Sequence, residues 1–252
     1  MNLISRGLAS LSLMLKQPLA SFCEIETCHG DALITKQGDY LSFVRLDGML
    51  RMSTRADIER IATAMRIDIA GALEKRGHAI VGCYASDPDL AVREIERINM
   101  DSCRQVAREM GIDLTNILDE RLRLWSSVMR WEAGYYILWT QRGVLTKEER
   151  KQVKEEQAAM AKECSGIGDA QKFFLRSEVM AAHHAGFVSR IVSSLKRHDV
   201  AATELSAHDA LIVAREAMYR ETVGSSWRPI LVGDRFMARW PEEDGKLSLI
   251  HI

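Results

Sequence analysis

The stretch Ser21-Phe-Cys-Glu-Ile-Glu-Thr-Cys-His-Gly-Asp-Ala-Leu-Ile-Thr-Lys-Gln-Gly-Asp-Tyr-Leu-Ser-Phe-Val-Arg-Leu-Asp-Gly48 decides the fold. Its first segment alternates, His29-Gly30-Asp31 turns, Ala32 to Lys36 runs extended, Gln37-Gly38-Asp39 turns again, and Tyr40 opens a third apolar run. Two Gly-Asp turns between short β-rich segments specify an antiparallel meander over 22–46. Downstream the period changes. Ser53 or Thr54 caps a helix that runs to a stop at Gly77, and Ala79 to Ser86, which carries no charge, reads as a short buried strand. Asp87-Pro88 opens a second helix that ends at Gly111. A third helix covers 113–131, and Ala133 to Gly143 forms an aromatic strand.

From Thr146 the pattern is nearly all helical. A Lys- and Glu-rich helix over 146–164 has only Val153 and Met160 as an apolar stripe, so it is expected to stand proud of the body. Further helices follow at 169–197 and 206–222, with Asp199 to Leu205 between them as the one segment able to pair as a strand. The expected class is α+β, or mixed α/β: an N-terminal antiparallel meander packed with helices, then a largely helical second half. The expected organisation is an amphipathic helix over 1–20, an α/β domain over 21–145, and a helical part of the same region over 146–240. The end of the piece is 241–252.

Both ends need separate treatment. Leu3, Ile4, Leu8, Leu11 and Leu15 approximate one helical stripe, whereas Ser10, Ser12, Lys16 and Phe22 spoil an export signal. At the other end, Leu247-Ser-Leu-Ile-His-Ile252 alternates poorly as a strand and matches one reading frame of a common sequencing adapter. Residues 247–252 are therefore expected to be an adapter translation, with Lys246 the last genuine residue.

Composition excludes several function classes. The 34 lysines and arginines offset 35 aspartates and glutamates, so no global field draws the chain to a polyanion. Five cysteines, an odd number, do not form a disulfide framework and fit a reducing compartment. No stretch approaches the ~18 uninterrupted apolar residues of a spanning helix.

Motifs for chemistry are sparse. Cys23, Cys28 and His29 lack a second ligand pair at zinc-finger spacing. His183 and His184 are adjacent, so on a helix they point about 100° apart and cannot share a metal; they read as surface and interhelical histidines. Cys164 has nothing in the sequence to position a base beside it, and Gly166-Ile-Gly168 reads as a loop between helices. The phosphate-loop pattern G-x-x-x-x-G-K-[ST] does not occur: at Gly245-Lys246, Trp240 stands in place of the first glycine and Leu247 follows. Arg121, Arg123, Trp125, Arg130 and Trp131 interleave base and aromatic, as stacking platforms for nucleic acid do. Leu118, Leu122, Trp125 and Met129 nevertheless form one stripe, which is ordinary amphipathic packing. No catalytic, cofactor-binding or metal residue emerges.

The ordered features "SFCEIET", "LITKQGDYLSFVRLDGM", a long helix, "YYILWT", a charged helix and "SSWRPILVGDR" span about 21–240. In that order they resemble the N-terminal region of the large ATPases of type IVB secretion and conjugation systems, the IcmB/DotO/TraU group. The resemblance implies an α/β region that docks a motor onto the inner-membrane channel complex and assists its homo-oligomerisation. It places the protein in the cytoplasm, peripheral to the inner membrane, with ATP and magnesium used by a C-terminal half that this piece stops short of. No direct nucleic-acid binding is implied. Candidate interface residues are Leu8, Leu11 and Leu15 on the first helix, and Trp227, Arg228, Phe236 and Trp240 in the aromatic run. The alternative reading is a complete small nucleic-acid-binding or regulatory protein of a mobile element, acting through the Arg121 to Trp131 helix.

Overall fold

The computed structural model describes residues 24–74, 76–163, 172–219, 222–229 and 231. Strands β1 (Ile25–His29), β2 (Ala32–Thr35) and β3 (Tyr40–Met49) form the meander. Both turns use glycine at positive φ, Gly30 at 58° and Gly38 at 80°, where a side chain is disfavoured. Helix α1 (Arg55–Leu73) is capped by Thr54, whose hydroxyl accepts from the Asp57 N–H while the Asp57 carboxylate accepts from the Thr54 N–H. Strand β4 (His78–Asp87) follows, then α2 (Pro88–Ile95), capped by Asp87. A π turn over Glu96–Met100 leads into α3 (Asp101–Glu109), and α4 (Thr115–Val128) precedes β5 (Trp131–Thr140). Helices α5 (Lys147–Glu163) and α6 (Glu178–Arg197), strand β6 (Val200–Glu204) and α7 (Ala207–Met218) complete the described chain. This is the expected α+β class, with a six-stranded antiparallel sheet.

The sheet runs β1-β2-β3-β5-β4. One edge of β3 pairs with β5 from Tyr40 to Leu46. Its other edge is divided: Tyr40 and Leu41 pair with β2, and Val44 to Met49 pair with β6. The strand expected at 199–205 therefore does pair, with a register shift at Asp47 and Gly48 at φ 100°.

Each sheet face has its own core. Leu33, Leu41 and Phe43 meet Ala207, Ala210 and Leu211 of α7 on one face. On the other, Val44 and Leu138 pack against Ala72 of α1 and Phe187, Val188, Ile191 and Leu195 of α6. Tyr40, Ile34, Val153 and Met180 extend that layer, and a separate small cluster of Ile95, Met100 and Leu118 joins α2 to α4.

Three sequence expectations need correction. The segment expected as a buried strand, β4, is ten residues long and forms the outer edge of the sheet, with Val81, Gly82, Cys83 and Tyr84 all exposed. The helix expected over 87–111 keeps its cap at Asp87 and its end before Gly111, but changes from α to π geometry over Glu96–Met100. The charged helix α5 does not stand clear: Val153 is buried, Glu149 bonds His183, and Glu156 accepts from the Ser177 hydroxyl at 2.6 Å. Its apolar stripe is thin because polar pairs make most of its attachment.

Candidate docking surface

The predicted interface residues fare differently. Leu8, Leu11, Leu15, Phe236 and Trp240, with the helix over 1–20 and residues 241–252, lie outside the described residues. Trp227 is half-buried, with the Arg215 guanidinium 4.3 Å from its ring centre. Arg228 is exposed, while Pro229 and Leu231 are buried, the latter in the α7 cluster. The run thus spends part of its aromatic content on its own core and presents Arg228 to solvent.

A larger apolar exposure lies on the helices between β4 and β5. The inner side of α4 is Leu118, Leu122 and Trp125; its outer side is Ile117, Leu124 and Val128, exposed by 64%, 62% and 70%. Val106 and Met110, one helical turn apart, are also exposed, as are Ile112 and Ile98. These helices are apolar on both sides, whereas a helix facing only its own domain has one apolar stripe. The sequence signal was present in Ile117, Leu124 and Val128, which fall at spacings of seven and four. It was masked by the arginines beside them.

Between α6 and the sheet runs a polar chain that sequence reading missed. His184 of α6 is 3% exposed and lies against the sheet. Its Nε2 is 3.0 Å from the Ser42 hydroxyl, and its Nδ1 is 2.8 Å from the Thr140 hydroxyl. Ser42 donates to the Glu204 carboxylate at 3.3 Å, and Thr140 lies 3.2 Å from His78 Nδ1. With Glu204 ionised, donor order fixes every proton. Ser42 gives its proton to Glu204, so it accepts from His184 Nε2–H. His184 Nδ1 then accepts from Thr140, which accepts from His78 Nδ1–H. Burial, aided by nearby His78, pushes the His184 pKa down to about 4, so the ring is neutral at pH 7. The alternation of β3 places Tyr40 and Ser42 on the covered face; polar residues there were the available signal.

Other perturbed groups are structural in the same way. Burial pushes the Tyr40 hydroxyl up to about 12; it donates to the Ser177 carbonyl and accepts from the Ser177 N–H. The Thr146 N–H, followed by His183, holds Glu149 down at about 2. His183 is thus interhelical, as expected, but His184 belongs to the sheet interface. Trp125 is half-buried beside Leu118 and has Arg121 stacked 4.5 Å from its ring centre, so this aromatic face is occupied within the fold.

Among the described residues no cluster of three His, Cys, Asp or Glu side chains is arranged to hold a metal, and no helix is long and apolar enough to cross a membrane. No protein-family model matches the chain, and no curated protein matches it.

Proposed function

We propose that the chain is the non-catalytic N-terminal docking and assembly region of an ATPase that powers substrate transfer in a type IV secretion or conjugation system. The observation that carries this reading is the double-sided helical layer. Ile117, Leu124 and Val128 face outward from a helix whose other side already packs, through Leu118, on Ile95 and Met100. Such a surface is favourable only when something covers it. The motifs of the resemblance support the same role. "LITKQGDYLSFVRLDGM" and "YYILWT" form β2, β3 and β5 at the sheet centre, and Trp227 and Leu231 of the last motif pack on α7, which is consistent with a scaffold.

In this reading the partners are subunits of the inner-membrane complex and further copies of the motor. The protein is cytoplasmic and peripheral to the inner membrane. ATP and magnesium belong to the remainder of the parent protein. The nucleic-acid alternative is less well supported, because Trp125 is engaged with Arg121 and Leu118 instead of lying open as a stacking platform.

Val128→Glu combined with Ile117→Glu in the full-length parent tests the reading. Substrate transfer should be lost while ATP hydrolysis by the purified protein is retained. Unimpaired transfer would overturn the assignment of this surface to docking.

A further inference from the structure

The outer edge of β4 is the least protected feature of the sheet. β4 is ten residues long and pairs with β5 at every position from His78 to Asp87, without a bulge. Among the described residues nothing pairs with its other side. Ala79 to Ser86 contains no charged residue and no proline. Natural sheets blunt an open edge with lysine, proline, a bulge, a short strand or a covering segment, and among the described residues β4 has none of these. The other edges are managed. β1 has five residues with a register shift at Glu26, and Arg176 Nε donates to the Cys28 carbonyl at 2.7 Å. β6 is also five residues and ends at Thr203 and Glu204, whose side chains bond Asp47 and Ser42.

Both faces of the sheet are also bare at this edge. Val81 and Cys83 are exposed on the face that α7 covers further in; Tyr84, 69% exposed, and Gly82 lie open on the other. An incoming strand therefore meets no obstruction from the helices, and its side chains have apolar neighbours on either face.

We infer that the edge of β4 pairs antiparallel with β4 of a second copy of this chain, about a two-fold axis through Gly82. The strand's own sequence favours this occupant over an unrelated peptide. A two-fold axis normal to the sheet keeps each face continuous, so opposed residues must have the same parity. Centred on Gly82, this register sets Ile80 opposite the partner's Tyr84 and Val81 opposite the partner's Cys83, each twice. Ala79 then lies opposite the partner's Ala85. Large meets large on one face, β-branched meets thiol on the other, and no charged residue lies within Ala79 to Ser86. Cross-strand aromatic and β-branched pairs are the favourable contacts of antiparallel sheets. Gly82, which is costly inside a strand, has a role at the axis: each Gly82 leaves space that the partner's Tyr84 covers diagonally. The result is a continuous sheet through two molecules.

This inference does not depend on the secretion reading, because it rests on the strand alone, and a dimer could form in either functional class. The test uses the full 252-residue chain at a series of concentrations, with mass from light scattering and amide exchange over Ala79 to Ser86. The expected result is a two-chain mass at tens of micromolar and protection of alternate β4 amides that grows with concentration. Val81→Lys, placed at an already exposed position, should weaken the dimer at least tenfold. Val128→Lys on the α4 stripe should leave the dimer intact. A one-chain mass throughout, or β4 protection independent of concentration, would overturn the inference, as would a dimer lost on Val128→Lys but kept on Val81→Lys. Should Val81→Lys fold poorly, the exchange measurement on the unaltered chain still decides.

Discussion

Between pH 7 and pH 5 acidification should destabilise this protein mainly through His184. His184 has a folded pKa of about 4 because it is buried among Ser42, Thr140 and the sheet, whereas an unfolded histidine titrates near ~6.5. The folded value lies below the unfolded one, so the unfolded state binds more protons between those limits. Stability is therefore fully present above about pH 6.5 and is lost as pH falls toward 4. Linkage gives a loss of about 2 kcal/mol between pH 7 and pH 5, and about 3 kcal/mol by pH 4. For a chain of this size the pH 5 loss corresponds to roughly 4–8 °C in Tm. The assay is urea or thermal unfolding at pH 7, 6, 5 and 4.5 for the native protein and for His184→Gln. The glutamine variant is less stable at pH 7, because it cannot reproduce both hydrogen bonds, but it lacks the histidine titration. Its curve against pH should be flatter by about 2 kcal/mol between pH 7 and 5. Parallel curves for the two proteins would refute the reasoning, and would mean that His184 is charged or solvated in the fold.

Tyr40→Phe leaves the Ser177 N–H without its buried partner, while the Ser177 carbonyl keeps the Ala181 N–H, and should cost about 1–3 kcal/mol in chemical denaturation; a loss below a few tenths would contradict the described bonding. Gly77→Ala should be more damaging than an ordinary turn substitution, because φ is 98° and a Cβ would lie 2.5 Å from the Val144 backbone nitrogen; soluble expression at native Tm would disprove that contact. Thr54→Ala removes the reciprocal cap of α1 and should cost about 1 kcal/mol, read as a shift in denaturation midpoint with an unchanged slope. In the native protein Cys103 should react quickly with a thiol reagent and Cys28 only on unfolding, followed by peptide mapping; equal rates would contradict the assigned burial.

The local code of the chain was readable where it is chemical. Gly30 and Gly38 announced the turns, Thr54 and Asp87 the helix starts, and Asp199 to Leu205 the last strand, because each choice is dictated within a few residues. What sequence could not distinguish was burial on an edge from burial in the middle. An uncharged run such as Ala79 to Ser86 is what a central strand needs, and it is equally what an edge waiting for a partner needs. The place of β4 in the sheet depends on β5, some fifty residues later. The charged appearance of α5 concealed its anchoring, since Glu149, Glu156 and Gln157 are attached by hydrogen bonds that leave no apolar periodicity. The His184 chain was invisible for a similar reason: its members come from β3, β4, β5, α6 and β6, and no spacing in the sequence connects them.

The docking reading requires a parent protein that continues beyond the residues in hand, and this can be read directly. Sequencing the source DNA past codon 246 should reveal, in place of the Leu247 to Ile252 tail, an open frame leading to a G-x-x-x-x-G-K-[ST] segment and an acidic magnesium-binding motif. A natural stop codon immediately after Lys246 would contradict the assignment of this chain to a secretion or conjugation ATPase.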